Sequence, residues 1–222
     1  MAFDMLVSLL AKALWQTLHM VFVSGLLGSL IGLPMGVFLA TSGRGELFEA
    51  PVLNRVIGLI VNATRSTPFI ILVVAIIPFT RLVTGTSIGT SAAIVPLTIA
   101  TIPFFARLVE SSIREVDKGL IEAARAMGAT PVQIVSKVLL REARPGLVLG
   151  LTLTIVSLIG FSAMVGAVGG GGLGDLGIRY GYQRFMPDVM LAVVVVLIVL
   201  VQGVQSIGDR LAKRFDKKNR KN

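Results

Sequence analysis

Five stretches of this chain, each about twenty residues long and almost free of charge, have the length that an α-helix needs to cross the hydrocarbon core of a bilayer. They cover residues 14–40, 57–79, 88–106, 147–168 and 189–207. Hydrophobic residues make up 54% of the 222 and charged residues only 15%, an apolar surplus that one water-soluble core could not hide. The chain is therefore predicted to be an all-α integral membrane protein with five transmembrane helices.

The charges sit between and beyond these runs. The loop at 41–55 carries Arg44 and Arg55, the segment 107–144 carries seven Lys/Arg with five acids, and seven more Lys/Arg follow Gly208. The opposite set is poorer, with Lys12, Arg81, Arg179 and Arg184. Positive charge is retained on the cytoplasmic side, so five spans place the N-terminus outside and the C-terminus in the cytoplasm. A net charge of +9 would suggest nucleic acid in a soluble protein. Here aromatic residues are 6% and do not interleave with the basic clusters, so stacking platforms are missing and no nucleic-acid partner is expected.

With no cysteine there is no disulfide, thiolate metal site or thiol nucleophile to consider. His19, the single histidine, reads as a packed or interfacial residue. The N-terminus lacks the basic region of a cleaved signal peptide, so the first apolar run is expected to be retained. Arg65 in the second run belongs near the cytoplasmic interface, because a mid-membrane arginine costs at least ~2.5 to 3.5 kcal/mol. Pro68 disfavours helix at the residue before it, which suggests that 52–64 is a separate interfacial helix leading into a short span. In the first run Ser24, Gly28, Gly32 and Gly36 share one face, a pattern for close helix packing, and Pro34 suggests a kink.

The 107–144 loop is too long for a turn and has helical grammar. Asp117 can cap a helix over 118–127 with Leu120, Ile121, Ala124 and Met127 on one side, and Gly128 suits its stop. Thr130, Pro131 and Gln133 then supply a cap, a proline at the first helical position and a glutamine at the third. The expectation is helix, corner, helix; on physics alone an amphipathic hairpin lying on the membrane is the alternative.

The string Glu122-Ala123-Ala124-x-x-x-Gly128, followed after a gap by Val138-Leu139-Leu140, resembles the EAA signature of bacterial ABC importer permeases. This chain has Val138 and Arg141 where that pattern usually has Ile and Pro. Further strings resemble the methionine-importer branch: Arg65–Leu72, Ile77–Arg81, Gly85–Gly89, Ala92–Thr98, Leu120–Pro131 and Gly169–Gly174. The resemblance covers nearly the whole chain except the tails. It implies a type I ABC importer permease of the bacterial inner membrane, multi-pass and lipid-embedded, that carries methionine. It also implies as partners a second copy, two cytoplasmic ABC ATPase subunits, and a periplasmic or lipid-anchored substrate-binding protein. On this resemblance Glu122, Ala123, Ala124, Met127, Gly128, Ala129, Pro131 and Ile134 couple the chain to the ATPase.

No G-x-x-x-x-G-K-[ST] loop occurs, so the chain is expected to hold no cofactor and to be no enzyme, with ATP and magnesium bound by the partner. The glycine run at 169–174 lacks the lysine and reads as an irregular turn at the outer end of the fourth span. Phe161, Ser162 and Met164, just before it, are candidates for the translocation pathway, with core packing as the plainer reading. The competing functions are a secondary transporter or channel without an ATPase, a permease for another amino acid, and a scaffold docking a cytoplasmic protein. The first is disfavoured by the absence of intramembrane charge pairs.

Overall fold

The computed structural model describes residues 3–215, and every regular element among them is helical. The helices are α1 (Phe3–Thr41), α2 (Pro51–Ser66), α3 (Phe69–Ala75), α4 (Ile77–Thr84), α5 (Thr90–Arg114) and α6 (Lys118–Ala126). There follow α7 (Pro131–Gln133), a π-helical stretch Ile134–Leu139, α8 (Leu140–Glu142) and α9 (Arg144–Ala167). Then come α10 (Gly172–Leu176), a second π-helical stretch Gly177–Tyr182, and α11 (Pro187–Phe215). Four helices, α1, α5, α9 and α11, are each long and apolar enough to cross a membrane.

The second apolar run is not one straight helix. Ser66 ends α2, Pro68 takes φ −56° and ψ 132°, and the chain turns sharply into α3. The proline ring excludes helical backbone just before it, which makes 51–66 the separate helix that Pro68 suggested. Each of the other four helices outruns at least one of its predicted ends, α1 and α11 both of them, α5 the later one and α9 the earlier one. Charged residues ended the apolar runs but do not end the helices, because exposed or paired charges fit a helix whose first or last turn has left the apolar zone. In α5 the added turns carry Glu110 between Arg107 and Arg114. In α1 the added turns carry Leu6, Leu9 and Leu10, which pack on Leu173 and Val189. Of the basic tail, Lys217, Lys218, Arg220 and Lys221 lie outside the described residues.

The residues form two compact units. One comprises 3–28, 67–101 and 154–205. Its core joins Met20 and Val21 of α1 to Phe69, Val73, Leu97, Leu158 and Ile159. The glycine run here is a turn with positive φ at Gly169, Gly171 and Gly172. The second unit comprises 29–66, 102–153 and 206–215. Its core gathers Phe105, Val109 and Ile113 of α5, and Val116 just after it, around Ala124, Ile134, Leu139 and Ala143 of the loop.

Within each unit the glycine face of α1 lies against α5. A Cβ at Gly28 would collide with the Thr101 side chain, and one at Gly32 would come 2.9 Å from the Ile102 carbonyl oxygen. At Gly36 it would strike the Ala106 carbonyl and the Val109 side chain, 2.8 Å from its Cγ1. Small residues here let two backbones touch, which replaces the hydrophobic drive that lipid removes. Gly36→Val should therefore lose about 1–3 kcal/mol through overpacking. Gly160→Ala, where nothing lies within 4 Å, should leave stability unchanged; thermal melting of the two variants in detergent checks the contrast.

Candidate functional site

The loop between α5 and α9 is a helix, a corner and a second helix. Asp117 caps α6 by accepting the Gly119 amide at 2.7 Å, satisfying one of the orphan donors of the first turn. The helix closes with Gly128 at φ 80°, a left-handed geometry that favours glycine, while the Ala129 amide donates back to the Ala124 carbonyl at 3.0 Å. Thr130 then caps α7: its Oγ1 accepts the Gln133 amide at 3.4 Å and Gln133 Oε1 accepts the Thr130 amide at 3.0 Å. This reciprocal pair is the capping box that the spacing predicts. The backbone stays helical through Arg141 and Ala143 into α9, so the arginine in place of proline does not interrupt the junction.

The residues singled out in this loop divide by burial. Ala124 and Ile134 are buried, and Ala129 half-buried, in the core beneath the corner, so they hold the loop together and present no free surface. Glu122, Ala123, Met127, Gly128 and Pro131 are exposed. Met127 at 82% and Val132 at 65% stand out as large apolar side chains exposed on this loop. Behind α6 a cavity of ≈ 400 Å³ is lined by Arg114, Lys118, Glu122 and Arg125, with Glu46 from the α1–α2 connection.

The candidate pathway residues are less uniform. Phe161 stacks on Phe69 with centroids 4.4 Å apart, Ser162 is buried and donates to the Ile159 carbonyl at 2.7 Å, and Met164 is exposed. Met164 is thus free of the packing that holds the other two. Arg65 is exposed in the last turn of α2, where a cation complements the helix dipole, and His19 is exposed on α1.

Two groups of polar residues had no motif to announce them. Gln16 Oε1 accepts the Gly172 amide at 3.0 Å and Thr17 Oγ1 accepts the Leu173 amide at 2.9 Å, so α1 caps the short α10. A Cβ at Gly172 would lie 2.6 Å from that Thr17 oxygen. In the second unit Arg107 donates to Asn62 Oδ1 at 2.9 Å and to the Gly58 carbonyl at 3.2 Å, and it pairs with Glu110, which also holds Arg114 at 2.9 Å. Gln16, Thr17 and Asn62 are polar residues inside apolar runs, whereas Arg107, Glu110 and Arg114 open the charged 107–144 segment, and nothing local in the sequence links either set to its partners.

Long apolar helices with a capped, corner-forming loop and a glycine turn are the build of a multi-pass helical membrane protein. The chain belongs to the family described as binding-protein-dependent transport system inner membrane component, whose model matches residues 32–221. It is a multi-pass protein of the inner membrane. It is 56% identical over 208 residues to the probable D-methionine transport system permease protein MetI of Vibrio cholerae, covering 94% of this chain and 92% of that one. The D-methionine transport system permease protein MetI of Escherichia coli is 56% identical over 158 residues, 71% of this chain and 73% of the relative. Among solved structures, a chain from the inward-facing MetNI methionine ABC transporter superposes with a TM-score of 0.94 at 52% identity. That match covers 98% of this chain and 100% of that chain. An amino acid ABC transporter crystallised with histidines, at 20% identity and TM-score 0.78, shares the fold.

The corner gives the first test of this loop. Gly128→Val places a β-branched residue at φ 80°, where about 1–2 kcal/mol per residue is lost. Gly128→Asn should lose less, since asparagine tolerates that region. Amide hydrogen exchange across 118–135 should rise in that order.

Proposed function

We propose that this chain is the membrane-spanning subunit of an ATP-driven ABC importer that carries methionine across the bacterial inner membrane. The observation that carries the reading is the full-length likeness, at 52% identity, to a chain of a solved methionine ABC transporter. In this reading α2 and α3 together form one bent span, which brings the number of spans to five. The N-terminus lies outside and the C-terminus in the cytoplasm, and the whole chain acts as one permease domain. A second copy completes the pathway, two cytoplasmic ATPase subunits supply energy, and a periplasmic or lipid-anchored protein delivers substrate. The chain is not itself an enzyme and holds no cofactor; ATP and magnesium belong to the ATPase.

Coupling is assigned to the exposed part of the loop. Met127 and Val132 enter an apolar groove of the ATPase, Ala123 lets backbones approach, and Glu122 meets a basic residue there. Gly128, Ala129 and Pro131 set the corner that carries these groups, while Ala124 and Ile134 fix the corner to α5, so a push on the tip is transmitted as a rigid displacement. Among the pathway candidates Met164 is the surface-accessible one, suited to a thioether cargo by its own soft side chain. Phe161 and Ser162 shape the backbone behind it.

Reconstitution tests the assignment. The chain alone in liposomes should move no methionine, and uptake should require ATP, the ATPase and the binding protein. Glu122→Lys should lower complex yield or uptake about tenfold, since it reverses a charge at the docking face. Met164→Asp should cut uptake while leaving the complex assembled. Uptake by the chain without any ATPase would refute the reading.

A further inference from the structure

Arg107 and Glu110 lie outside every motif that the coupling reading uses, yet they form a connected polar cluster in the second unit. Glu110 is only 7% exposed and is gripped by Arg107 and Arg114 on its own helix. Two arginines on one helix would suffice to neutralise it. Arg107 does something more: its second terminal nitrogen crosses to α2, donating to the Gly58 carbonyl at 3.2 Å and to Asn62 Oδ1 at 2.9 Å. Gly58 and Asn62 lie one helical turn apart, so the planar guanidinium clasps α2 across a turn of its surface. Its Nε is buried without a partner, so this reach is made with one donor left unsatisfied. One turn further back, Asn54 Nδ2 donates to the Leu39 carbonyl and to Ser42 Oγ, both at 2.9 Å, and Val61 is buried on the same side of α2.

Elsewhere on α2, Val52, Leu53, Val56, Leu59 and Ile60 are exposed, so the contacts of Asn54, Gly58, Val61 and Asn62 gather on one side of the helix. After Ser66 the helix stops at the Thr67–Pro68 break. The end of α5, in turn, runs directly into the Asp117 cap of α6.

We infer that Arg107 is a positioning residue, held by Glu110, that makes α2 follow the end of α5 when the loop is displaced. The inference rests on the coupling role proposed for 122–135. A displacement of α6 moves α5 through their shared core; the guanidinium fork carries it to α2, and the break at Thr67–Pro68 lets α2 swing. Lysine in place of Arg107 keeps the charge but has a single nitrogen, so it cannot hold Glu110 with one arm of a fork while the other arm reaches Gly58 and Asn62 on α2.

The test uses the complete importer in liposomes, with methionine uptake and ATP hydrolysis measured together. In Arg107→Lys, uptake per ATP should fall about fivefold or more, the scale of an ordinary allosteric coupling, with the complex still formed. Asn62→Ala removes one bond of the clasp and replaces an exposed residue by a better helix former. It should lower uptake per ATP by a smaller factor without lowering the melting temperature, a pattern that simple loss of structure does not produce. Wild-type uptake per ATP in both variants overturns the inference, and so does an Asn62→Ala loss matched by an equal loss of assembled complex. Gly128→Val separates the two levels: if it uncouples while Arg107→Lys and Asn62→Ala do not, only the clasp is wrong. If Gly128→Val keeps wild-type uptake per ATP, the coupling role of the loop fails and the clasp with it.

Discussion

A backbone amide or carbonyl in lipid cannot turn to water, so every place where a membrane helix stops must find its hydrogen bonds within the protein. Much of the sequence's polar content serves that constraint. At the glycine turn Gln16 and Thr17 accept the first amides of α10. Elsewhere in the apolar helices, buried hydroxyls bond back to their own helix: Ser24 to the Met20 carbonyl at 2.6 Å and Thr101 to the Leu97 carbonyl at 2.7 Å. Such a side chain can sit against a glycine seam without leaving an unpaired oxygen. The glycines then let α1 and α5 come close enough for dispersion forces to hold what the hydrophobic effect, absent between helices in lipid, does not.

The loop between α5 and α9 faces the opposite problem. Its caps could be satisfied by water, yet Asp117, Thr130 and Gln133 satisfy them internally. The gain is rigidity. A corner fixed by two caps, a left-handed glycine and a buried Ala124–Ile134 pair has few alternative shapes, so a force on its tip is not absorbed by melting a turn. The π-helical stretch Ile134–Leu139 extends this corner toward α9 with Ile134 and Leu139 both buried. An unusual helix type is retained where packing fixes it from both ends, and such insertions recur at functional positions.

How much of this was legible in the sequence depended on the range of the interaction. Caps and turns are local, so Asp117, Gly128 and the Thr130–Gln133 box could be read from spacing alone, as could the break at Pro68. The seam on α1 was legible because three glycines repeat with the helix. The outward reach of the helices was not, since a run of apolar residues measures the lipid and not the helix. Nor were the partners of Gln16 and Thr17, which lie 156 residues away, or the bonds from Arg107 to Gly58 and Asn62, 49 and 45 residues away. No period or motif links such positions. In the loop, helical spacing put Ala124 and Met127 on one side together, but the two differ entirely in burial because α5 covers only part of that face.

That difference bears on how one loop can both dock and transmit. Residues that contact a partner must be exposed before assembly, and residues that carry a displacement must be packed against what they move. A single helix face cannot satisfy both demands at the same position. Here Met127 and Val132 are exposed at the tip, while Ala124, Ile134 and Leu139 share a buried core with Ile113 of α5 and with Val116 just beyond it. The corner at Gly128 makes that division possible by bringing exposed Met127 and Val132 together at the tip, with packed Ala124 on one arm and packed Ile134 and Leu139 on the other. A straight helix of equal length would have to choose between burying its apolar stripe against α5 and offering it to a partner.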